Sequence, residues 1–204
     1  MPEVHSLFAS PVIADIVDVD TTQLQKDKFT YQDIKHRGYE NVSEISKDIR
    51  ILQKYPELKK FLLEKFYLAA QHILNYRNDF KITTSWISRS KKGTCSTVHM
   101  HKNSFYSGVF YYGKYTDNSG GIEFTSPIIE YNDFYLYSPS PNLLSSDTQK
   151  FEPKTNLLLF FPSYLKHRIM YHKGNSPRYS LAFNIVPTGL YGCNDSLYNT
   201  EWLT

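Results

Sequence analysis

The stretch Leu157–Val186, LLLFFPSYLKHRIMYHKGNSPRYSLAFNIV, decides how this chain is read. It opens on five apolar residues, Leu157–Phe161, halts at Pro162-Ser163, and resumes with Tyr179–Val186 after Gly174, Asn175 and Pro177. Apolar runs this short, bounded by turn residues, predict buried strands rather than helices. Between the two runs stands His167, and Arg178 immediately precedes the second. A strand pair that carries a histidine and an arginine so close together is a candidate site as well as a core.

Working outward, Ile82–Ser88, Ser96–His101, Ser107–Tyr112 and Ile122–Thr125 also predict strands, punctuated by Gly, Asn, Asp and Pro. The chain has 17 Tyr and 13 Phe, which suit half-buried sheet faces better than a base-stacking surface. The N-terminal part has a different texture. Leu7–Val19 predicts an opening strand broken by Pro11. Thr21 or Thr22 is placed to cap a short helix over 22–28, and Ser43 another over 44–53. Pro56 suits a first helical turn. The apolar positions 58, 61, 62, 66, 69, 70, 73 and 74 then form one stripe at helical spacing. Segment 128–153, rich in Ser, Pro, Asn and Tyr, is too long for a hairpin loop. It predicts a lid whose Tyr131, Phe134, Tyr135 and Tyr137 would meet a substrate. The expectation is one mainly β domain with flanking helices: 1–80 as N-terminal strand and supporting helices, 81–190 as β-core, 191–204 as tail.

With 204 residues the chain can bury a sizeable core. A net charge of +3, spread in short basic runs, gives little reason to expect a nucleic-acid partner. Cys95 and Cys193 make no disulfide framework and fit a reducing compartment. Residues 1–20 lack the basic and apolar regions of a secretory signal, and no apolar run reaches membrane-spanning length. A cytoplasmic protein is expected.

His99-Met100-His101 is the chemical counterpart of the opening stretch. Two histidines separated by one residue share a face of an extended chain, so both imidazoles can reach one ion. His167, arriving from a distant strand, would complete a three-ligand face with open positions for substrate. Arg178, eleven residues later (178 − 167 = 11), could hold a carboxylate beside the metal, with Ser180 on the same strand face. His5, His36, His72 and His172 read as surface residues. Three neutral histidines also suit a zinc hydrolase, which would give Arg178 and Ser180 no role. A non-catalytic β-sandwich would use none of them.

These segments resemble the 2-oxoglutarate/iron(II)-dependent oxygenases. The likeness runs through His99-Met100-His101-Lys102-Asn103, Ser107-Gly108-Val109-Phe110-Tyr111-Tyr112 and Gly120-Gly121-Ile122-Glu123-Phe124. It continues through Leu157–Ser163, His167 and Arg178–Asn184, as in the prolyl hydroxylases and a related bacterial and phage group. The opening Leu7-Phe8-Ala9-Ser10-Pro11-Val12 is similar to that group's start. The resemblance implies a double-stranded β-helix, a jelly roll of cupin type. It implies iron(II) held by His99, His101 and His167, and 2-oxoglutarate and O2 as cosubstrates of an unidentified prime substrate. Arg178, Ser180 and Tyr112 would hold the cosubstrate; Asn184, by continuing the Arg178-Ser180 strand face, could orient the metal site. His101 stands where the pattern has a carboxylate, so Glu123, and less readily Asp117, are alternative ligands. A histidine there also fills the space that a halide would need, so halogenation is not expected.

Overall fold

A computed structural model describes residues 8–33, 42–128 and 137–203, together with Glu3, His5 and Phe134. In chain order its elements begin with β1 (Ile13–Ile16), α1 (Thr22–Lys26), β2 (Tyr31–Asp33) and β3 (Glu44–Ser46). A 3-10 turn (Ile51–Lys54) leads into α2 (Pro56–His72), β4 (Asp79–Ser90), β5 (Tyr106–Tyr111) and β6 (Ile122–Thr125). Then come β7 (Thr148–Phe151), β8 (Leu157–Pro162), β9 (His167–Ile169), β10 (Arg178–Thr188), β11 (Leu190–Tyr191) and β12 (Tyr198–Asn199). Seven strands form one sheet in the order β1-β8-β5-β10-β4-β3-β2, and three form a second, β7-β6-β9; β11 and β12 make a separate hairpin. All the ladders between paired strands are antiparallel.

The large sheet is covered on both faces, which explains why β5 and β8 are buried at every position and show no apolar/polar alternation. Its outer face packs under α2, where Leu58, Leu62, Phe66 and Ala70 meet Phe80, Tyr106, Phe110, Phe160 and Phe183. Phe66 is fully buried and packs against Phe80, Tyr106 and Phe160 at ring distances of 5.1–5.3 Å. Burying such a side chain stabilises the fold by roughly 1.5–3 kcal/mol. The inner face packs on the small sheet through Val109, Tyr111, Leu159, Phe161 and Ala182 against Ile122 and Phe124. Gly108 is required by this layering: a Cβ there would lie 2.2 Å from the Phe183 ring on the adjacent strand.

α2 starts at Pro56 with Glu57 in its first turn, as its sequence predicts. It stops at His72; Ile73 is exposed, and Asn75 turns the chain away in a left-handed conformation at φ 58°. α1 also forms, but no side chain caps it at Thr21. Asp20 instead accepts the Thr22 N–H at 2.8 Å.

Several expectations are corrected by pairing that local propensity does not reveal. The helix over 44–53 is β3 followed by the 3-10 turn. Glu44 sits opposite Arg89 in the β3–β4 ladder and accepts hydrogen bonds from Arg89 Nε and Lys91 Nζ, while Ser43 bonds Ser90 rather than capping. Residues 96–101 form no regular strand; their one β-bridge joins His99 to His167. β7 lies at the end of the proposed insertion and belongs to the small sheet. Of the four aromatic residues assigned to a lid, Tyr131 and Tyr135 lie outside the described residues, while Phe134 and Tyr137 are exposed. Among the described residues no helix is long and apolar enough to cross a membrane. Two facing sheets with antiparallel crossovers, closed by helices on one outer face, make this a double-stranded β-helix.

Candidate metal centre

His99 and His167 are joined through their backbones. Each N–H donates to the other's carbonyl at 2.9 Å, and the rings lie 4.5 Å apart. Two residues on, the His101 N–H donates to Ser163 O, which brings its ring to 5.3 Å from His99 and 5.1 Å from His167. One potential ligand atom from each of the three lies within 4.8 Å of the others. Among the described residues no carboxylate or thiol joins this cluster.

The hydrogen bonds prepare these rings as ligands. His99 Nδ1 lies 2.9 Å from Thr97 O, and His167 Nδ1 lies 2.9 Å from Leu165 O. A carbonyl only accepts, so each Nδ1 carries the proton and each Nε2 presents a lone pair. His101 Nδ1 meets Asn184 Oδ1 at 2.8 Å and Ser107 Oγ at 2.9 Å. Apolar rings flank two of the three: Trp86 lies 5.4 Å from His101, and Phe161 lies 4.8 Å from His167, while His99 is exposed. Burial, with the nearby His99 charge adding to it, pushes His167 down to about 3; burial likewise pushes His101 down to about 4, although its bond to Asn184 opposes this. Both imidazoles are therefore neutral at pH 7, the form that binds a metal.

Arg178 begins β10 on the inner face, with Ser180 two residues on; both are buried. The guanidinium carbon lies 5.0 Å from the Tyr111 ring centroid. Arg178 Nε, Arg178 Nη1 and the Tyr111 hydroxyl are all buried without a hydrogen-bond partner. Burial keeps the Tyr111 phenol protonated, although the Arg178 charge opposes this, so it remains a donor. Buried polar groups are normally paired. Three unused donors around one cation match the acceptor oxygens of an anion.

The structure clusters His99, His101 and His167, and places Arg178 against Tyr111 with Ser180 on the same strand face of the inner layer, but it does not bring in Tyr112. That residue points from the opposite face of β5 into the core under α2, while Tyr111 faces inward. Period-two alternation separates the two tyrosines, but a strand buried on both faces does not show which parity faces the site. Glu123 is turned away as well. Its neighbour Phe124 pairs with His167, whereas Glu123 is buried beneath Arg168, whose Nε lies 2.7 Å from it, and Lys150 at 3.5 Å. Asp117 is exposed and outside the cluster. His172, read as a surface residue, is 1% exposed, with Nε2 bound to Ser176 O. His5 and His72 are exposed, and His36 lies outside the described residues.

Residues 84–184 match a family model described as "Putative 2OG-Fe(II) oxygenase". That span contains every residue named above for metal and anion. Among solved structures, HygX from Streptomyces hygroscopicus with nickel and 2-oxoglutarate bound superposes with a TM-score of 0.60 at 10% identity, covering 88% of this chain and 84% of that one. A prolyl-4-hydroxylase from Pseudomonas putida gives 0.53 at 13% identity over 87% of this chain and 94% of its own. An oxidoreductase of the 2OG-Fe(II) oxygenase family from Burkholderia pseudomallei gives 0.52 at 14% identity over 78% and 72%. No curated protein matches the sequence. At such identities the solved structures speak for the jelly-roll fold.

Proposed function

We propose, for a chain that belongs to the 2-oxoglutarate/iron(II)-dependent oxygenase superfamily, that His99, His101 and His167 hold the iron and that Arg178 and Tyr111 hold the distal carboxylate of 2-oxoglutarate. The enzyme class, the metal and the cosubstrate follow from the family; the residue roles and the hydroxylation of an unactivated carbon, on a protein side chain or a small molecule, are the proposal. Bound iron supplies the coupling of O2 reduction to decarboxylation of 2-oxoglutarate, with succinate and CO2 as products.

What the chain itself contributes is order. Three neutral imidazoles leave the metal its full +2, and a dianionic keto acid matches that charge. The Arg178 fork and the Tyr111 hydroxyl offer three buried donors for one carboxylate, and Ser180 lies on the same strand face. Trp86 shields the His101 ring, and Phe124 and Phe161 shield that of His167, while His99 stays open to solvent. The observation that carries the reading is the unused donor set on the inner layer that also holds the histidine cluster. A zinc hydrolase would explain the histidines and leave those donors without a purpose, so it is not favoured.

The test is succinate formation from 2-oxoglutarate with iron(II) and air. Turnover in the wild type, lost in His167→Ala and needing at least about tenfold more 2-oxoglutarate in Arg178→Ala, supports the assignment. Full activity in either variant refutes it.

A further inference from the structure

The three histidines are not held alike. His99 and His167 each donate to a main-chain carbonyl two residues earlier, at Thr97 and Leu165, which almost any side chain at those positions would preserve. His101 depends on side chains: Asn184 Oδ1, 83 residues away, at 2.8 Å, and Ser107 Oγ at 2.9 Å. Asn184 sits directly opposite Ser107 in the β5–β10 ladder. It also sits where the β10–β4 register shifts, between Phe183 and Ile185. The extra residue is in β4, where Thr83 and Thr84 stand opposite Asn184 alone.

The carboxamide of Asn184 is oriented from both ends. Its Nδ2 donates to Thr84 Oγ1 at 2.9 Å, and its Oδ1 accepts from Ser107 Oγ at 2.9 Å. Ser107 Oγ also lies 2.8 Å from Ser163 Oγ, which donates to it and stands 3.0 Å from Ser104 Oγ. With Oδ1 toward the imidazole, the ring proton stays on Nδ1 and Nε2 is free. The reverse orientation would aim Nδ2–H at Nδ1, force the proton onto Nε2 and close that nitrogen to a metal.

We infer that Asn184, anchored by Thr84 and Ser107, is the positioning residue that makes a histidine serviceable as a metal ligand at position 101. A carboxylate at that position has no tautomer to select and would not need it. Asn184 is therefore coupled to His101 specifically, rather than to the fold at large.

This inference rests on His101 being a ligand, and a double-mutant cycle separates the two claims. The readouts are anaerobic iron(II) affinity without 2-oxoglutarate and the imidazole ¹⁵N tautomer of the metal-free protein. Asn184→Leu should lower iron affinity about ten- to hundredfold and should populate the Nε2–H form of His101. Asn184→Asp, which keeps an acceptor, should stay within about threefold. In a His101→Asp background, Asn184→Leu should change affinity by less than about twofold. Should Asn184→Leu fail to fold, Asn184→Ser and the wild-type tautomer carry the same test. Equal losses in both backgrounds, or an Nε2–H His101 in the metal-free wild type, overturn the role of Asn184. So does an unchanged affinity in Asn184→Leu while His101→Ala loses iron. Wild-type affinity in His101→Ala instead refutes His101 as a ligand.

Discussion

The two halves of the inner layer are finished to different degrees. Around the histidines every Nδ1 already has a partner, through Thr97, Leu165 and the Asn184–Ser107 pair. Around Arg178 the opposite holds: two guanidinium nitrogens and the Tyr111 hydroxyl are buried and unmatched. The first half is organised before its metal arrives, so binding need not order it. The second is complete only with its ligand. Burying an unpaired charge costs several kcal/mol, and an anion seated there would return that free energy as affinity.

Removing a ligand should break the finished half outright. His99→Ala or His167→Ala should cut iron(II) affinity by at least about a hundredfold, since each deletes one of three protein donors. Anaerobic titration checks this, and near-normal affinity in either variant would contradict the metal assignment.

The unfinished half should respond in a way the first cannot. Arg178→Ala should raise the half-saturating 2-oxoglutarate concentration tenfold or more, as expected for a lost charge-assisted pair of roughly 1.5–3 kcal/mol, and leave iron affinity intact. Arg178→Leu should lose the thermal stabilisation that 2-oxoglutarate confers on the iron-loaded wild type. Without ligand it should be as stable as the wild type or more so, because an unpaired buried charge is gone. A large loss of stability in the absence of ligand would mean that Arg178 is a structural cation.

Acid should unfold the metal-free protein through the finished half. Burial holds His101 near 4 and His167 near 3, below the unfolded value of about 6.5. The unfolded chain therefore binds these protons first. Their contribution to stability is fully present above about pH 6.5 and is lost as the pH falls toward 4 and then 3. Each histidine should add a slope approaching 1.4 kcal/mol per pH unit within that window. Urea unfolding in chelator from pH 7 to 5 checks the sign; stability that rises on acidification would contradict it.

The smallest effect separates neighbouring tyrosines. Tyr111→Phe should weaken 2-oxoglutarate binding by about three- to tenfold, the range of a single neutral hydrogen bond. Tyr112→Phe should leave it unchanged, because Tyr112 faces the α2 side of the sheet.

That last pair also marks where the sequence stops being legible. α2, β8 and β10 could be read from apolar spacing because their burial is continuous over many residues. His99, His101, His167 and Arg178 could be read as a chemical pattern because their spacing survives the irregular backbone between Ser96 and His101. The parity of β5 could not be read, since all six of its residues are buried. β3, β7 and β9 were hidden for a different reason. Glu44–Ser46, Thr148–Phe151 and His167–Ile169 are short and partly polar, and each becomes a strand only because a partner strand lies beside it. His172 read as solvent-facing because its acceptor, Ser176 O, comes from a bend four residues on with no apolar signature. Asn184 was visible as a face-mate of Arg178 and Ser180, but the β4 bulge that sets Thr84 opposite it is a property of the ladder and not of the sequence.

Anaerobic titration of the iron(II)-loaded protein with 2-oxoglutarate, followed by visible absorption, tests the central claim most directly. A three-histidine site with an Arg178–Tyr111 carboxylate seat should give the weak charge-transfer band of an iron(II)–keto-acid complex. That band should saturate at a tenfold or higher concentration in Arg178→Ala and be absent in His167→Ala. No band in the wild type, or a band indifferent to both substitutions, would contradict the account.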